Sequence, residues 1–209
     1  ITTVHRYETT RSTVMDFIKS EIKKGRQAYI IFPLIEESEK PDYENLMKGY
    51  ENVKAYFPEP TYWISMVHGK MKAAQKEANM QRFVQNDTQI MVSTTVIEVG
   101  VNVPNASVMV IESAEKFGLS QLHQLRGRVG RGAEKSYCIL LTGNKLTREA
   151  RERLKIMCET NDGFVIAEKD LEIRGPGDIE GTRQSGMLNF KLASIVQDKH
   201  LLDFAKQYA

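Results

Sequence analysis

Apolar residues recur at helical spacing over Thr13–Lys24, where Val14, Phe17, Ile18 and Ile22 share one face and Gly25 supplies a stop. The next segment, QAYIIFPL at Gln27–Leu34, is apolar without alternation, which predicts a strand covered on both faces, as in a parallel sheet. Glu36–Asp42 is acidic and holds Pro41, so it reads as a surface loop. Tyr43–Phe57 returns to helical spacing through Leu46, Tyr50, Val53 and Phe57, and Pro58 and Pro60 end it. Strands are expected at Tyr62–Val67, Gln89–Ser93, Ala106–Glu112 and Ser136–Leu141, and helices at Met71–Gln85 and around Ser120–Gly127. This alternation predicts an α/β fold, a doubly wound and mostly parallel sheet with helices on both faces.

The pattern changes after Thr142. Charge-rich helical sequence at Thr147–Glu159 meets an Asn161-Asp162-Gly163 turn and then a second segment, Phe164–Glu172, which together predict a helical hairpin. It leads into RGPGDIEGTRQSG, Arg174–Gly186, where Gly175, Gly177, Gly181, Gly186 and Pro176 exclude regular structure and imply an extended loop. A last helix is expected from about Ala193 to Tyr208. The chain therefore divides into residues 1–146, a doubly wound domain, and 147–209, an appendage of hairpin, loop and final helix.

Composition adds exclusions. Of the 209 residues 41% are hydrophobic and 27% charged, the proportions of an ordinary folded protein rather than a disordered one. No apolar run approaches the roughly 20 residues that cross a bilayer, and no signal peptide is apparent, so the expectation is a cytoplasmic protein without a membrane partner. Cys138 and Cys158 lack a CxxC partner and are expected to be buried free thiols. The histidines His5, His68, His123 and His200 are scattered, so no metal site is expected. The net charge of +2 does not announce a nucleic-acid partner, so any such binding has to come from local patches.

Two segments carry candidate chemistry. In QLRGRVGR, Gln124–Arg131, arginines surround two glycines, and the permanent charge and planar donor fork of arginine suit a triphosphate or its transition state. Arg128 and Arg131 are three apart and on a helix would share a face. The common alternative is that such arginines pair with surface carboxylates. In VSTTVIEVGVNVPNA, Val92–Ala106, a buried strand breaks into a hydroxyl-rich turn at Thr94 and Thr95, followed by Glu98, Gly100 and Asn102. Threonine hydroxyls at a strand's C-terminal end are either phosphate partners or caps for the next turn.

With these segments in this order, followed by the glycine-rich loop, the chain resembles the C-terminal motor region of the RecG family of branch-migration helicases. QAYIIFPLIEES, residues 27–38, is similar to the family's fourth helicase motif. His68-Gly69-Lys70-Met71 is similar to the following strand-to-helix motif, Val92–Ala106 to the fifth and Gln124–Arg131 to the sixth. RGPGD followed by GTRQSG is more specific than these motor motifs, and PLIEES with GMLNFKLA favours this family over the transcription-repair coupling factor. Two positions depart from the family pattern: Asn102 stands where Asp is common and Lys70 where Arg is common.

The resemblance implies a RecA-like fold and ATP with Mg2+ as cofactor. Arg128, Arg131 and Gln124 would complete a site between two motor domains, Arg131 serving first as an arginine finger and Gln124 orienting the arginines. Glu98, Gly100 and Asn102 would also face nucleotide, Glu98 and Gly100 shaping the turn. His68, Gly69, Thr94 and Thr95 would meet the DNA backbone, and Arg174, Arg183 and Gln184 would belong to a loop that couples nucleotide state to movement on duplex DNA. The implied partners are branched or duplex DNA and a first motor domain of the same parent chain, with a monomeric assembly. This sequence holds no GxxxxGK[ST] phosphate loop, and its start at Ile1 fits a fragment, so it is expected to be inactive alone. A different class, a non-catalytic interaction module that kept the motor fold, is the alternative.

Overall fold

The structure, a computed structural model, describes residues 1–34, 39–94, 103–132 and 135–174. Six strands appear among them: β1 (Thr2–Tyr7), β2 (Gln27–Phe32), β3 (Ile64–Val67), β4 (Ile90–Thr94), β5 (Ala106–Ile111) and β6 (Tyr137–Thr142). They form one sheet in the order β1-β6-β5-β2-β4-β3, and every pairing is parallel. The helices are α1 (Arg11–Lys23), α2 (Glu39–Tyr56), α3 (Ala73–Val84), α4 (Leu119–Arg126), α5 (Arg148–Glu159) and α6 (Gly163–Arg174).

The two-residue period of the strands divides the core into two layers. Ala28 and Ile30 of β2, with Ile90, Val92, Val108, Val110 and Ile139, lie under Val14, Met15 and Ile18 of α1 and Leu46, Val53 and Phe57 of α2. The alternate residues Tyr29, Ile31, Met91, Met109, Ile111 and Leu140 face Phe83 of α3, Leu119, Leu122 and Leu125 of α4, Leu154 and Met157 of α5, and Ile166 of α6. The doubly wound expectation is met, and the uninterrupted apolar run of β2 has the predicted cause. The hairpin α5–α6 is likewise present, and its apolar residues join the second layer. Thr147 caps α5 by accepting the Ala150 amide at 3.1 Å, and the Asp162 carboxylate accepts the Phe164 amide at 2.8 Å where α6 begins.

Four details differ from expectation. The strand β1 was not foreseen; it pairs Thr2–Tyr7 with Tyr137–Thr142 at the sheet edge, where a largely polar strand is tolerated because one side faces solvent. Helix α2 starts at Glu39, so Pro41 lies in its first turn, where a missing amide costs no internal hydrogen bond. Cys138 is buried as expected, with its thiol pushed up to about 12 by burial, but Cys158 is exposed on α5. Helix α4 ends at Arg126, so Arg128 and Arg131 lie beyond it rather than on one helical face. The expected final helix and the Gly-rich loop after Arg174 fall outside the described residues.

Candidate functional site

The chain leaves α4 through Gly127 and turns at Gly130, whose φ of 90° lies in the left-handed region that glycine enters without strain. Arg128 is half-buried, while Gln124 and Arg131 are exposed. The Arg131 Nε donates to the Gly127 carbonyl at 3.3 Å, which curls its side chain back towards the helix end. Burial pushes the Tyr29 hydroxyl up to about 12, while the positive charges of Arg128 and Arg131 pull it the other way, so both guanidinium groups lie in the neighbourhood of β2. Neither arginine forms an ion pair among the described residues. The reading in which they serve surface carboxylates therefore has no support among the described residues.

The first arginine of the cluster has a separate fate that its sequence did not reveal. Arg126 is 2% exposed, the largest fully buried side chain described. Its Nη1 donates to the Met157 carbonyl at 2.9 Å and the Thr160 carbonyl at 2.8 Å, at the C-terminal end of α5, and more weakly to Thr3 Oγ1 at 3.4 Å. Its Nη2 donates to His123 Nδ1 at 3.0 Å, which requires that ring nitrogen to be unprotonated. The charge thus rests on helix-end carbonyls carrying the negative pole of α5 instead of on a carboxylate. A Cβ at Gly163 would come within 3.1 Å of His123 Nε2, so the ring is wedged between Arg126 and the start of α6. One buried guanidinium ties the end of α4, next to Arg128 and Arg131, to the hairpin.

His68, Gly69 and Thr94 sit at the opposite edge of the sheet, where β3 and β4 end. His68 is buried, and its ring meets that of Tyr43 edge-on at 5.3 Å. Burial, then the charges of Lys76 and Lys70, hold its imidazole below its ordinary 6.5. Thr94 is buried, and its hydroxyl has no hydrogen-bond partner among the described residues. The arginines belong to the other edge: a Cβ on Gly132 would meet Pro104, and the neighbouring Asn105 carbonyl accepts the Gln27 amide where β2 starts. Because β4 and β5 are both parallel to β2, the end of β4 at Thr94 and the start of β5 at Ala106 lie at opposite edges. Five-residue strands make that separation roughly 16 Å. Glu98, Gly100 and Asn102, like Thr95, Arg183 and Gln184, lie outside the described residues; Arg174 ends α6.

At the end of β5, Glu112 accepts two hydrogen bonds from Arg11, at 2.5 and 2.9 Å. Burial raises the Glu112 carboxyl, and Arg11 offsets part of that rise. The bidentate pair holds the start of α1 to the middle of the sheet. No group of three or more His, Cys, Asp or Glu among the described residues is placed to hold a metal ion, and no described helix is long and apolar enough to cross a membrane.

The helicase conserved C-terminal domain model matches residues 10–133, and the model for ATP-dependent DNA helicase RecG, domain 3, C-terminal, matches residues 160–209. The ATP-dependent DNA helicase RecG of Bacillus subtilis is 53% identical over 196 residues, covering 94% of this chain and 28% of the relative. That of Synechocystis is 52% identical over 202 residues, 95% of this chain and 24% of the relative. That of Escherichia coli K12 is 48% identical over 210 residues, 100% of this chain and 30% of the relative. The chain thus spans 24–30% of these relatives' length. A structure of RecG bound to a three-way DNA junction superposes with a TM-score of 0.74 at 40% identity, over 97% of this chain and 25% of that one. The second domain of the DEAD-box helicase Mss116p, bound to an RNA duplex, has a TM-score of 0.58 at 18% identity over 82% of this chain and 68% of that one, a likeness of fold alone.

Proposed function

The chain belongs to the helicase conserved C-terminal domain family and corresponds over nearly its whole length to the C-terminal part of RecG helicases, and from that premise we propose that it is the second motor domain of an ATP-dependent DNA helicase that remodels branched DNA. The observation that carries this reading is the pair Arg128 and Arg131, three residues apart in one turn, half-buried and exposed respectively, and without a carboxylate partner among the described residues. Two guanidinium groups in that condition suit a polyphosphate supplied from outside this domain.

ATP with its magnesium ion, held mainly by a first motor domain of the parent, supplies the phosphoryl group that passes to water. The residues here act around it. In this reading Arg131 stabilises negative charge that develops during the transfer, Arg128 binds phosphate beside it, and exposed Gln124 orients them. Asn102, Glu98 and Gly100 serve the nucleotide as well, a role that rests on the likeness of Val92–Ala106 to the fifth helicase motif. On the other edge His68, Gly69, Thr94 and Thr95 take the sugar-phosphate backbone, which a motor indifferent to sequence must grip.

The hairpin, from residue 147, acts as the lever that passes cleft movement to Arg174, Arg183 and Gln184. Arg126 is its attachment to the arginine turn. The parent works as a monomer, and this chain alone does not turn over ATP because the phosphate-loop half of the site is not in its sequence.

The test is the DNA-dependent ATPase of the longer protein with Arg131→Ala, on a branched duplex, with nucleotide binding and folding checked separately. A fall of about a hundredfold or more with binding retained is expected. Near-normal turnover would move the role to Arg128, and a wild-type parent without ATPase would leave the chain a non-catalytic interaction module.

A further inference from the structure

Helix α4 ends in two side chains, His123 and Arg126, that share a face one turn apart. The Arg126 Nη1 has the Met157 and Thr160 carbonyls, but Nη2 has one acceptor among the described residues, the His123 Nδ1 at 3.0 Å. The backbone of the same two residues carries the arginine turn. The His123 carbonyl accepts the Gly127 amide at 3.1 Å, and the Arg126 carbonyl accepts the Val129 amide at 3.3 Å. Arg128 lies between those two amides in the chain, and the Gly127 carbonyl in turn receives the Arg131 Nε. Whatever fixes the Arg126 side chain therefore fixes the peptide units from which Arg128 and Arg131 project.

Only one protonation state of the ring permits this hydrogen bond. A guanidinium is always a donor, so Nδ1 must bring a lone pair and the proton of the neutral ring stands on Nε2. A second proton would set an N–H and a positive charge against the guanidinium at 3.0 Å, and the contact would have to open. The ring has little room to turn away, because a Cβ on Gly163 would already come within 3.1 Å of Nε2. Neighbouring groups do not restore the contact. Burial, then the Arg126 charge, hold the imidazole below its ordinary 6.5. On α5 the two carbonyls are taken by Nη1, Glu159 pairs with Lys155 at 3.7 Å, and burial raises the Cys158 thiol. On β6 burial holds the Cys138 thiol up at about 12, so neither thiol ionises where the ring gains its proton. On α6 the Asp162 carboxylate is occupied by the Phe164 amide at 2.8 Å. Histidine is the side chain whose charge ordinarily changes between about pH 5 and about pH 8.

We propose that neutral His123 is a positioning residue for the arginine turn: its Nδ1 fixes the Arg126 guanidinium, and through it the peptide units that carry Arg128 and Arg131, so that a proton on the ring loosens the turn and slows phosphoryl transfer. The proposal rests on the reading of Arg128 and Arg131 given above. It adds a residue that acts without touching nucleotide or DNA, and it gives the motor an acid limit set within this domain.

The experiment uses the longer protein that contains this chain and follows its DNA-stimulated ATPase on a saturating branched duplex from about pH 7.5 to about pH 5.5. His123→Phe keeps a ring without an acceptor, and His123→Asn places an amide oxygen, which does not titrate, where Nδ1 stood. At about pH 7.5 His123→Phe is expected to lower kcat about tenfold with the KM for ATP within about twofold, since the arginines act on charge that develops during the transfer. His123→Asn is expected to recover kcat to within about threefold of wild type. Towards about pH 5.5 wild type should lose turnover that His123→Asn retains, so the ratio of the His123→Asn rate to the wild-type rate rises about twofold or more. The shortfall of His123→Phe should shrink over the same range, so either variant alone suffices if urea unfolding shows that the other does not fold. A ratio that stays constant from neutral to acid pH overturns the proposal, as does a folded His123→Phe with wild-type kcat. Active wild type beside indifferent variants removes His123 and leaves the motor reading standing; a wild-type protein without DNA-stimulated ATPase removes both.

Discussion

Replacing Arg126 is the most exacting test of how this domain is held together. Its guanidinium is buried and makes three hydrogen bonds of 3.0 Å or less, to the Met157 and Thr160 carbonyls and to His123 Nδ1. Arg126→Met keeps most of the side-chain volume and strands those three acceptors, the Met157 carbonyl in the interior and the other two partly buried. A buried, unsatisfied acceptor costs about 1–3 kcal/mol and a partly buried one less, so three of them set an upper bound of about 3–9 kcal/mol on the gross loss. Against it stands the relief of no longer burying a charge, worth several kcal/mol, because desolvation already disfavours the charged arginine. The acceptors are neutral, so no unpaired ion remains, and the expected net loss is about 2–4 kcal/mol. Arg126→Ala adds a cavity and should lose about 1–2 kcal/mol more. Arg126→Lys keeps the charge but reaches fewer acceptors and should fall between wild type and Met. Urea unfolding of the isolated domain, followed by far-UV circular dichroism, reads these as shifts in midpoint at constant slope. Losses of this size are a large part of the roughly 5–15 kcal/mol that holds a typical domain. If Arg126→Met unfolds within about 0.5 kcal/mol of wild type, the clamp between α4 and α5 contributes nothing net and the reasoning fails.

Two further outcomes follow from buried charge. His5, His68 and His123 all have imidazoles held below the ordinary 6.5, each chiefly by burial. The unfolded chain therefore binds more protons than the folded one in this range, and stability should be fully present above about pH 6.5 and decline as the pH falls below it. Urea midpoints at pH 7.5 and 5.5 measure this, and a flat profile would contradict it. Arg11→Met should cost about 2–4 kcal/mol at neutral pH by leaving the Glu112 carboxylate buried alone. That loss should shrink as the pH is lowered, because burial already raises the Glu112 carboxyl and protonation removes the stranded charge; a loss that stays constant between pH 7 and 5 would count against the account.

What could be read from the sequence was decided by how strongly each residue's neighbours in the chain constrain it. The run AYIIF announces β2 because a strand at the centre of a parallel sheet is apolar on both sides, and Asn161-Asp162-Gly163 marks the hairpin because a turn is a local event. β1 has no such signature: TTVHRY is held by pairing with residues 135 positions away, and its polar side faces water. Arg126 was hidden for the same reason. Three arginines in eight residues look alike, and only the arrival of α5, some thirty residues later, takes one into the interior and leaves two outside. The expected common helical face of Arg128 and Arg131 gave way to a glycine turn, since Gly127 and Gly130 permit the helix to stop where the spacing alone would carry it on.

The parallel pairing of β1 with β6 also governs how this domain can be handled. β6, YCILLT, is an apolar strand whose outer hydrogen-bonding edge is covered by Thr2–Tyr7 and by nothing else among the described residues. A shorter version beginning at α1 would still contain every fully buried residue of both core layers, losing only the partly buried Val4, yet it would present that row of open amides and carbonyls to solvent on a strand of Ile, Leu and Cys. Such an edge recruits another copy of itself, so the first seven residues act as a guard against self-association as much as a part of the sheet.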